Sequence, residues 1–330
     1  MAANDITMRE LALRAGVSTA TVSLALRNDH RLSPATRQRI QALADTLGYR
    51  RDPVVARMMA QLPKGRRGHA PVLAFVTDHP SPFCEMGTDK DISCWHGAQR
   101  QARAMGYELK EFLLSPAMPG PKLSRILWNR GVEGILIGPL QKPATALDLT
   151  WNRFAAVALG HSLAVPRLDC VSNNQFNSGT LAVQCLYDRG YRRMGLIHTT
   201  EREQRVNYAL EASFATACRR CGIPVQVTSD DMRTDDDLLA WVKQHRLDAL
   251  LVPSYAYRTM LPRLPQSCKY TSLHLHPSEK EVSGVDQRWD ALGEQAVNLL
   301  ISRIHAGQNG IPSFPVTVNG ESRWVDGTTT

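Results

Sequence analysis

From Pro71 onward the sequence alternates short apolar runs with helical stretches, and this alternation restricts the fold more than any other feature. The runs are VLAFVT (72–77), ELKEFLL (108–114), GILIGP (134–139), AAVALG (155–160), RMGLIH (193–198), VQVTS (225–229), ALLVP (249–253) and YTSLHL (270–275). Helical segments separate most of them, at 93–105, 121–130, 175–189, 203–221, 234–245 and 288–305. A strand reaches a parallel neighbour only through a long crossover, which a helix fills, so this order predicts parallel α/β sheets. One large sheet, a barrel or two doubly wound lobes would each satisfy it.

The first fifth of the chain reads differently. Thr7-Met8-Arg9-Glu10 fits a capping box ahead of an apolar face of Leu11, Ala12 and Ala15. Gly16 supplies a turn, and Ser18 caps a second helix with Val22, Ala25 and Leu26 facing inward. Thr19, Ala20, Ser23, Leu24 and Arg27 are left on its outer side, with Asn28 as the stop. Ser33-Pro34 opens a third helix whose Ile40, Leu43, Ala44 and Leu47 fall at i, i+3, i+4 and i+7 before Gly48. Three short helices with a tight turn between the first two form a helix-turn-helix module, a design that serves DNA in some bundles and protein partners in others.

Charge favours DNA. Residues 1–67 hold 12 Lys/Arg against 5 Asp/Glu, a net of +7, whereas the other 263 residues hold 27 against 26, a net of +1. A basic module on a neutral body is the electrostatic footprint of a nucleic-acid binder. No run of 18 apolar residues occurs and MAANDITMRE has no apolar secretory core, so a cytoplasmic protein without membrane contact is expected. The seven cysteines are odd in number and scattered, which predicts reduced thiols; Cys218-Arg-Arg-Cys221 ends a helix and lacks the strand that precedes a redox pair.

The stretch DITMRELALRAGVSTATVSLALRNDHRLSPATRQRIQALADTLGYRRDP resembles the N-terminal domain of the lactose/galactose repressor (LacI/GalR) family in its Ala-Gly-Val-Ser turn, its Ala-Thr-Val-Ser helix and its Leu-Gly-Tyr helix end. Two positions depart from that pattern: Leu24 stands where the family usually has Arg, and Arg27 where it usually has Asn. The outer side of the second helix offers Thr19 and Ser23 as weak hydrogen-bonding groups, and Ala20 and Leu24 as apolar groups suited to thymine methyls. Affinity then rests on phosphate contacts, for which Arg27, Arg31, Arg37, Arg39, Arg50 and Arg51 are candidates.

Ser18, at the start of the second helix, is counted in the DNA-facing set, and the resemblance adds Thr7 and Met8 at the start of the first. It makes PVVARMMAQLP (53–63) the hinge helix, with Met58 at the position of a leucine that wedges into the minor groove.

For the body the resemblance selects two lobes, like those of periplasmic sugar-binding proteins. The expected domains are a helix-turn-helix module over 1–50, hinge and linker over 51–68, and an effector-binding body over 69–330. Lobe one takes 69–161 plus 286–319 and lobe two 162–285 plus 320–330, with crossings near 161, 285 and 319. The resemblance implies a homodimer, with a tetramer also compatible, on a double-stranded operator, and a small sugar-like effector between the lobes.

Ligands of parallel sheets bind beyond the carboxyl ends of the strands. Asp78, His79, Leu140, His161, Thr199, Ser254, Tyr255, His274 and His276 follow strand ends, and loops add Phe83, Asn173, Asn174, Arg205, Asn207, Asp286 and Gln287. Amides, carboxylates and a guanidinium beside aromatic faces match the demands of a polyol. The family's ligand-binding Arg is Leu210 here, its Val-Asp-Asn is Ser172-Asn173-Asn174, and its late acidic residue gives way to Leu273-His274-Leu275-His276. His274 and His276 share a strand face, the one metal-like spacing, but no metal or other cofactor is expected. The sequence lacks G-x-S-x-G, P-loop, G-x-G-x-x-G and H-E-x-x-H patterns, so a transcription regulator is expected ahead of a plain binding protein or an enzyme.

Overall fold

The computed structural model describes residues 6–26, 29, 31–49, 70–79, 94–143, 145–229, 234–252, 259–275 and 279–330. The expected hinge and linker over 51–68 lie outside them.

The N-terminal helices are α1 (Met8–Ala15), α2 (Thr19–Leu26) and α3 (Pro34–Thr46). Each starts where a hydroxyl satisfies an otherwise unbonded amide: Thr7 Oγ1 accepts from Glu10 N at 3.3 Å, Ser18 Oγ from Thr21 N at 3.1 Å, and Ser33 Oγ from Thr36 N at 3.2 Å. Gly16, at φ 66°, closes α1 in the left-handed region that a side chain would resist. Leu11, Val22, Ala25 and Ile40 are fully buried between the three helices. Removing a Leu, Val or Ile side chain from water contributes about 1.5–3 kcal/mol, so these few residues hold the module together. Two side chains lock α3 to its neighbours: Arg39 Nη1 donates to the Ala15 carbonyl at 3.1 Å and Gln41 Nε2 to that of Ala25 at 2.8 Å.

The body carries β1 (Val72–Thr77), β2 (Glu108–Leu113), β3 (Val132–Ile137), β4 (Thr145–Ala146), β5 (Ala155–Leu159), β6 (Leu163–Val165), β7 (Asp169–Asn173), β8 (Met194–His198), β9 (Gln226–Ser229), β10 (Ala249–Val252), β11 (Lys269–Ser272), β12 (Gly284–Asp286), β13 (Thr317–Gly320) and β14 (Arg323–Val325). Its helices are α4 (Cys94–Ala104), α5 (Gly120–Asn129), α6 (Gln175–Asp188), α7 (Thr200–Arg205), α8 (Ala209–Cys221), α9 (Asp235–Gln244) and α10 (Trp289–Ala306). They form two six-stranded sheets, ordered β13-β7-β5-β3-β1-β2 and β14-β12-β11-β10-β8-β9. The first is parallel throughout; the second is parallel except where β14 joins antiparallel to β12. No helix among the described residues is long and apolar enough to cross a membrane.

The chain passes between the sheets after Asn173, after Asp286 and between Gly320 and Arg323. The first passage is a correction. Residues 169–173, which a boundary near 161 assigns to the second lobe, form an interior strand of the first sheet. Buried Asp169 shows why: its Oδ1 accepts from Val316 N at 2.9 Å and holds the β13 segment beside β7. A second correction concerns 203–221, expected as one helix. Asn207 and Tyr208, at φ 54° and 59°, break it into α7 and α8.

Both faces of each sheet are covered, as the unbroken apolar strands require. In the first sheet, α5 packs Leu123 and Leu127 against Ala74, Val76, Ile135 and Ile137. On the other side α4 and α10 cross almost backbone to backbone. A Cβ on Gly97 would lie 1.9 Å from the Asp290 carbonyl oxygen, and one on Gly293 would lie 2.0 Å from that of Cys94. The crossing is flanked by Arg100 bonded to Glu294 at 2.6 Å and Gln101 to Asn298 at 2.6 Å. In the second sheet, α6 and α8 cover one face through Val183, Leu186, Leu210 and Phe214, and α9 covers the other through Leu238, Trp241 and Val242.

Candidate functional site

Two surfaces carry chemistry, and each is built within its own part of the chain. On the headpiece, α2 turns Val22 and Ala25 inward and leaves Thr19 and Ala20 exposed, with Ser23 and Leu24 half-buried. Ser18 is exposed too, but its hydroxyl already accepts from Thr21 N and meets Thr21 Oγ1 at 2.8 Å, so its first role is to start the helix. Thr7 does the same for α1, and Met8 packs on the headpiece core. Arg31 is exposed yet paired with Asp29, Nε to Oδ1 at 3.0 Å and Nη2 to Oδ2 at 2.7 Å; these hydrogen bonds raise its pKa further and offset its charge. Arg37 is half-buried on α3, while Arg27, Arg50 and Met58 lie outside the described residues.

In the body, strand carboxyl ends gather most of the effector candidates, but many have internal partners. Asp78 Oδ1 accepts from Gln141 N at 2.8 Å, and the Gln141 amide returns to the Asp78 carbonyl. His79, after the same strand, donates its N–H to Thr77 Oγ1 at 3.3 Å. His161 follows β5; burial, and then the nearby Arg167, lower its pKa and favour the neutral ring. Arg205, on α7 of the second lobe, donates from Nη1 to the Leu140 carbonyl beyond β3 of the first, at 2.6 Å, while Glu201 holds its other edge at 2.9 Å. Asn207 is exposed in the left-handed turn after α7. Phe83, Tyr255 and His276 lie outside the described residues.

The passages between the lobes absorb the remaining candidates. Asn173 is 2% exposed and its amide is taken up internally: Nδ2 donates to Ser322 Oγ at 2.7 Å and to the Gly320 carbonyl at 3.3 Å, and Oδ1 accepts from Ser178 Oγ at 2.8 Å. It ties the first passage to the third. Asp286 accepts from Arg288 N at 2.8 Å and from Arg323 Nε at 2.9 Å, which fixes the end of β12. Gln287 is buried and meets His274, Trp289, Gln175 and the Leu273 carbonyl.

Sequence reasoning missed Gln175 and Trp289, although Trp289 lies only two residues after the named candidate Gln287. It placed His198 at a strand end without a role, and there the structure holds a buried polar group at the end of β8. His198 Nε2 lies 3.3 Å from Glu211 Oε2, and Glu203 Oε2 accepts from Glu211 N at 3.4 Å. His198 Nδ1 and Glu203 Oε1 are buried without a hydrogen-bond partner among the described residues. Burial pushes the Glu203 carboxyl up, only partly opposed by the Glu211 amide and His198. Leu210, at the position of the family's ligand-binding Arg, is buried in the second-lobe core. No three His, Cys, Asp or Glu side chains converge as metal ligands among the described residues.

The two parts match two known sequence patterns. Residues 7–52 match bacterial regulatory proteins, lacI family, and residues 72–256 match periplasmic binding proteins and sugar binding domain of LacI family. The chain is 27% identical over 225 residues to the HTH-type transcriptional repressor CytR of Escherichia coli (strain K12), a match covering 66% of this chain and 61% of that protein. It thus spans about three fifths of that relative's length. Among solved structures it resembles a transcriptional regulator CelR–cellobiose complex, with TM-score 0.57 and 19% identity over 98% of this chain and 99% of that one. It also resembles the lac repressor dimer bound to operator and the anti-inducer ONPF, with TM-score 0.54 and 15% identity over 99% of both chains. The chain belongs to the LacI family of bacterial regulatory proteins, with a helical headpiece followed by an α/β body of parallel-sheet lobes.

Proposed function

We propose that this chain is a cytoplasmic, sequence-specific transcription regulator, a repressor that grips a palindromic operator as a homodimer and responds to a sugar-like effector between its lobes. The observation that carries the reading is the outer side of α2. Thr19 and Ala20 stand exposed, with Ser23 and Leu24 half-buried beside them, on the basic fifth of the chain. Short hydroxyls and apolar groups read methyls and groove shape at close range, while basic residues supply a salt-sensitive hold on phosphates. A twofold operator follows from one headpiece per subunit, with half-sites about one helical turn apart.

The body supports the effector half of the reading. Amide, carboxylate, imidazole and guanidinium groups collect at strand carboxyl ends, where open parallel sheets bind ligands. An effector that binds one lobe arrangement better than another must shift operator affinity, and the operator must shift effector affinity by the same factor.

Selection of bound duplexes from a random pool by the full chain tests the DNA half. A twofold-symmetric sequence is expected; no enrichment would leave a small-molecule binding protein as the better description.

A further inference from the structure

The second headpiece helix, α2, has only 8 residues, Thr19–Leu26, and turns just Val22 and Ala25 fully into the core. A helix that short is marginal on its own in water, so its last turn depends on what the rest of the headpiece supplies. Ser18 fixes the start through Thr21 N at 3.1 Å. At the other end a helix leaves carbonyls that its own amides cannot reach. Asp29 N takes the Leu24 carbonyl at 3.0 Å. The Ala25 carbonyl accepts from a side chain brought in by α3, Gln41 Nε2, at 2.8 Å.

Gln41 belongs to a run of three α3 residues with three different tasks. Ile40 is fully buried at the centre of the headpiece core. Its neighbours leave the helix about 100° to either side of it. Arg39 Nη1 reaches the carbonyl of Ala15, the last residue of α1, at 3.1 Å, and Gln41 reaches that of Ala25. One helix thus grips the far ends of the two that form the turn. The two grips differ in what they hold. Ala15 precedes the turn, whereas Ala25 is joined directly to Leu24 on the outer side of α2.

We propose that Gln41 is a positioning residue for operator reading: its bond to the Ala25 carbonyl fixes the last turn of α2 and so the placement of Leu24 in the major groove. The proposal rests on the DNA-reading function given above. A groove contact loses discrimination once the group that makes it can drift, so a supporting bond that never touches DNA sets how sharply a base is read. Gln41 is half-buried and uncharged. It therefore affects sequence preference without adding to the general attraction for phosphates.

The test is selection of duplexes from a random pool by the full chain, with base preference at each position read for wild type, Gln41→Met, Gln41→Lys and Ile40→Val. Leu24→Ala and Thr19→Ala mark which base pairs depend on each end of α2. Met keeps the length and helix preference of Gln but has no donor. Gln41→Met is expected to relax preference about three- to tenfold at the base pairs that Leu24→Ala relaxes, and to leave those marked by Thr19→Ala unchanged. Gln41→Lys keeps a donor and restores the preference, its added charge strengthening binding to all sequences alike. Ile40→Val lowers the thermal midpoint and leaves the preference as in wild type, which separates positioning from simple loss of stability. If Gln41→Met does not fold, Gln41→Glu at pH 8 removes the donor in its place.

A folded donorless variant whose preference matches wild type overturns the proposal. So does one that weakens every position equally, since Gln41 would then only stabilise the headpiece. If Leu24→Ala relaxes no base pair, Gln41 has nothing to position and the proposal falls while DNA reading stands. Failure of the wild-type chain to enrich any sequence instead counts against DNA reading itself.

Discussion

Leu24 occupies the place where an arginine would let the recognition helix take the two acceptors on guanine's major-groove edge. A branched apolar side chain offers that edge nothing, but it packs against the methyl that distinguishes thymine. Leu24→Ala is therefore expected to relax one thymine in each half-site of the selected operator, and Leu24→Arg to exchange it for guanine; repeated selection with each variant checks this. An unchanged preference at every position would make Leu24 a bystander. In the body, Glu203 carries a prediction about stability. Its raised pKa means that the folded chain holds the carboxyl proton more tightly than the unfolded chain does. Between the ordinary carboxylate range and the raised value, its contribution to stability therefore falls as pH rises. Glu203→Gln removes that loss, so the variant should gain stability relative to wild type as pH rises through the window. Urea unfolding at several pH values reads the difference; a gap that is flat or narrows with pH would contradict it.

At the scale of elements, most helices were legible because their caps and apolar spacing are local. Thr7, Ser18 and Ser33 start helices where the sequence places them, and Leu11, Val22 and Ile40 are buried as the helical period requires. The eight apolar runs also lie on strands. What stayed hidden depends on contacts distant in sequence. β7 reads Asp-Cys-Val-Ser-Asn and β13 Thr-Val-Asn-Gly, too short and polar to stand out, and only Asp169 bonded to Val316 shows why one joins the other. The α7–α8 break likewise requires two consecutive left-handed residues, one of them Tyr208, that no pattern announces.

The same reasoning limited the site. Asn173 was legible as a polar residue at a strand end, but its role depends on Ser322 and Ser178. Asn173→Ala should cost about 1–3 kcal/mol of unfolding free energy by leaving buried partners unmet; a change within about 0.5 kcal/mol would mean that the passage does not need it. The α4–α10 crossing makes a similar claim. Gly97→Ala drives a methyl into the Asp290 carbonyl and should cost about 1–3 kcal/mol. The exposed Arg103→Ala on the same helix should stay within about 0.5 kcal/mol.

For the whole molecule, charge and topology divide the work. Net charge of +7 in residues 1–67 against +1 in the rest places the long-range attraction for DNA in the first fifth of the chain. Operator affinity should therefore fall steeply with salt, whereas binding of a neutral effector should not. A symmetric operator requires two headpieces to read one site together. Titrating the full chain, followed by fluorescence anisotropy at fixed salt, against the selected operator and against the same duplex with one half-site scrambled measures that cooperation. Scrambling one half-site is expected to cost at least about a hundredfold, toward the affinity for unrelated DNA. Equal affinity for the two duplexes would contradict it.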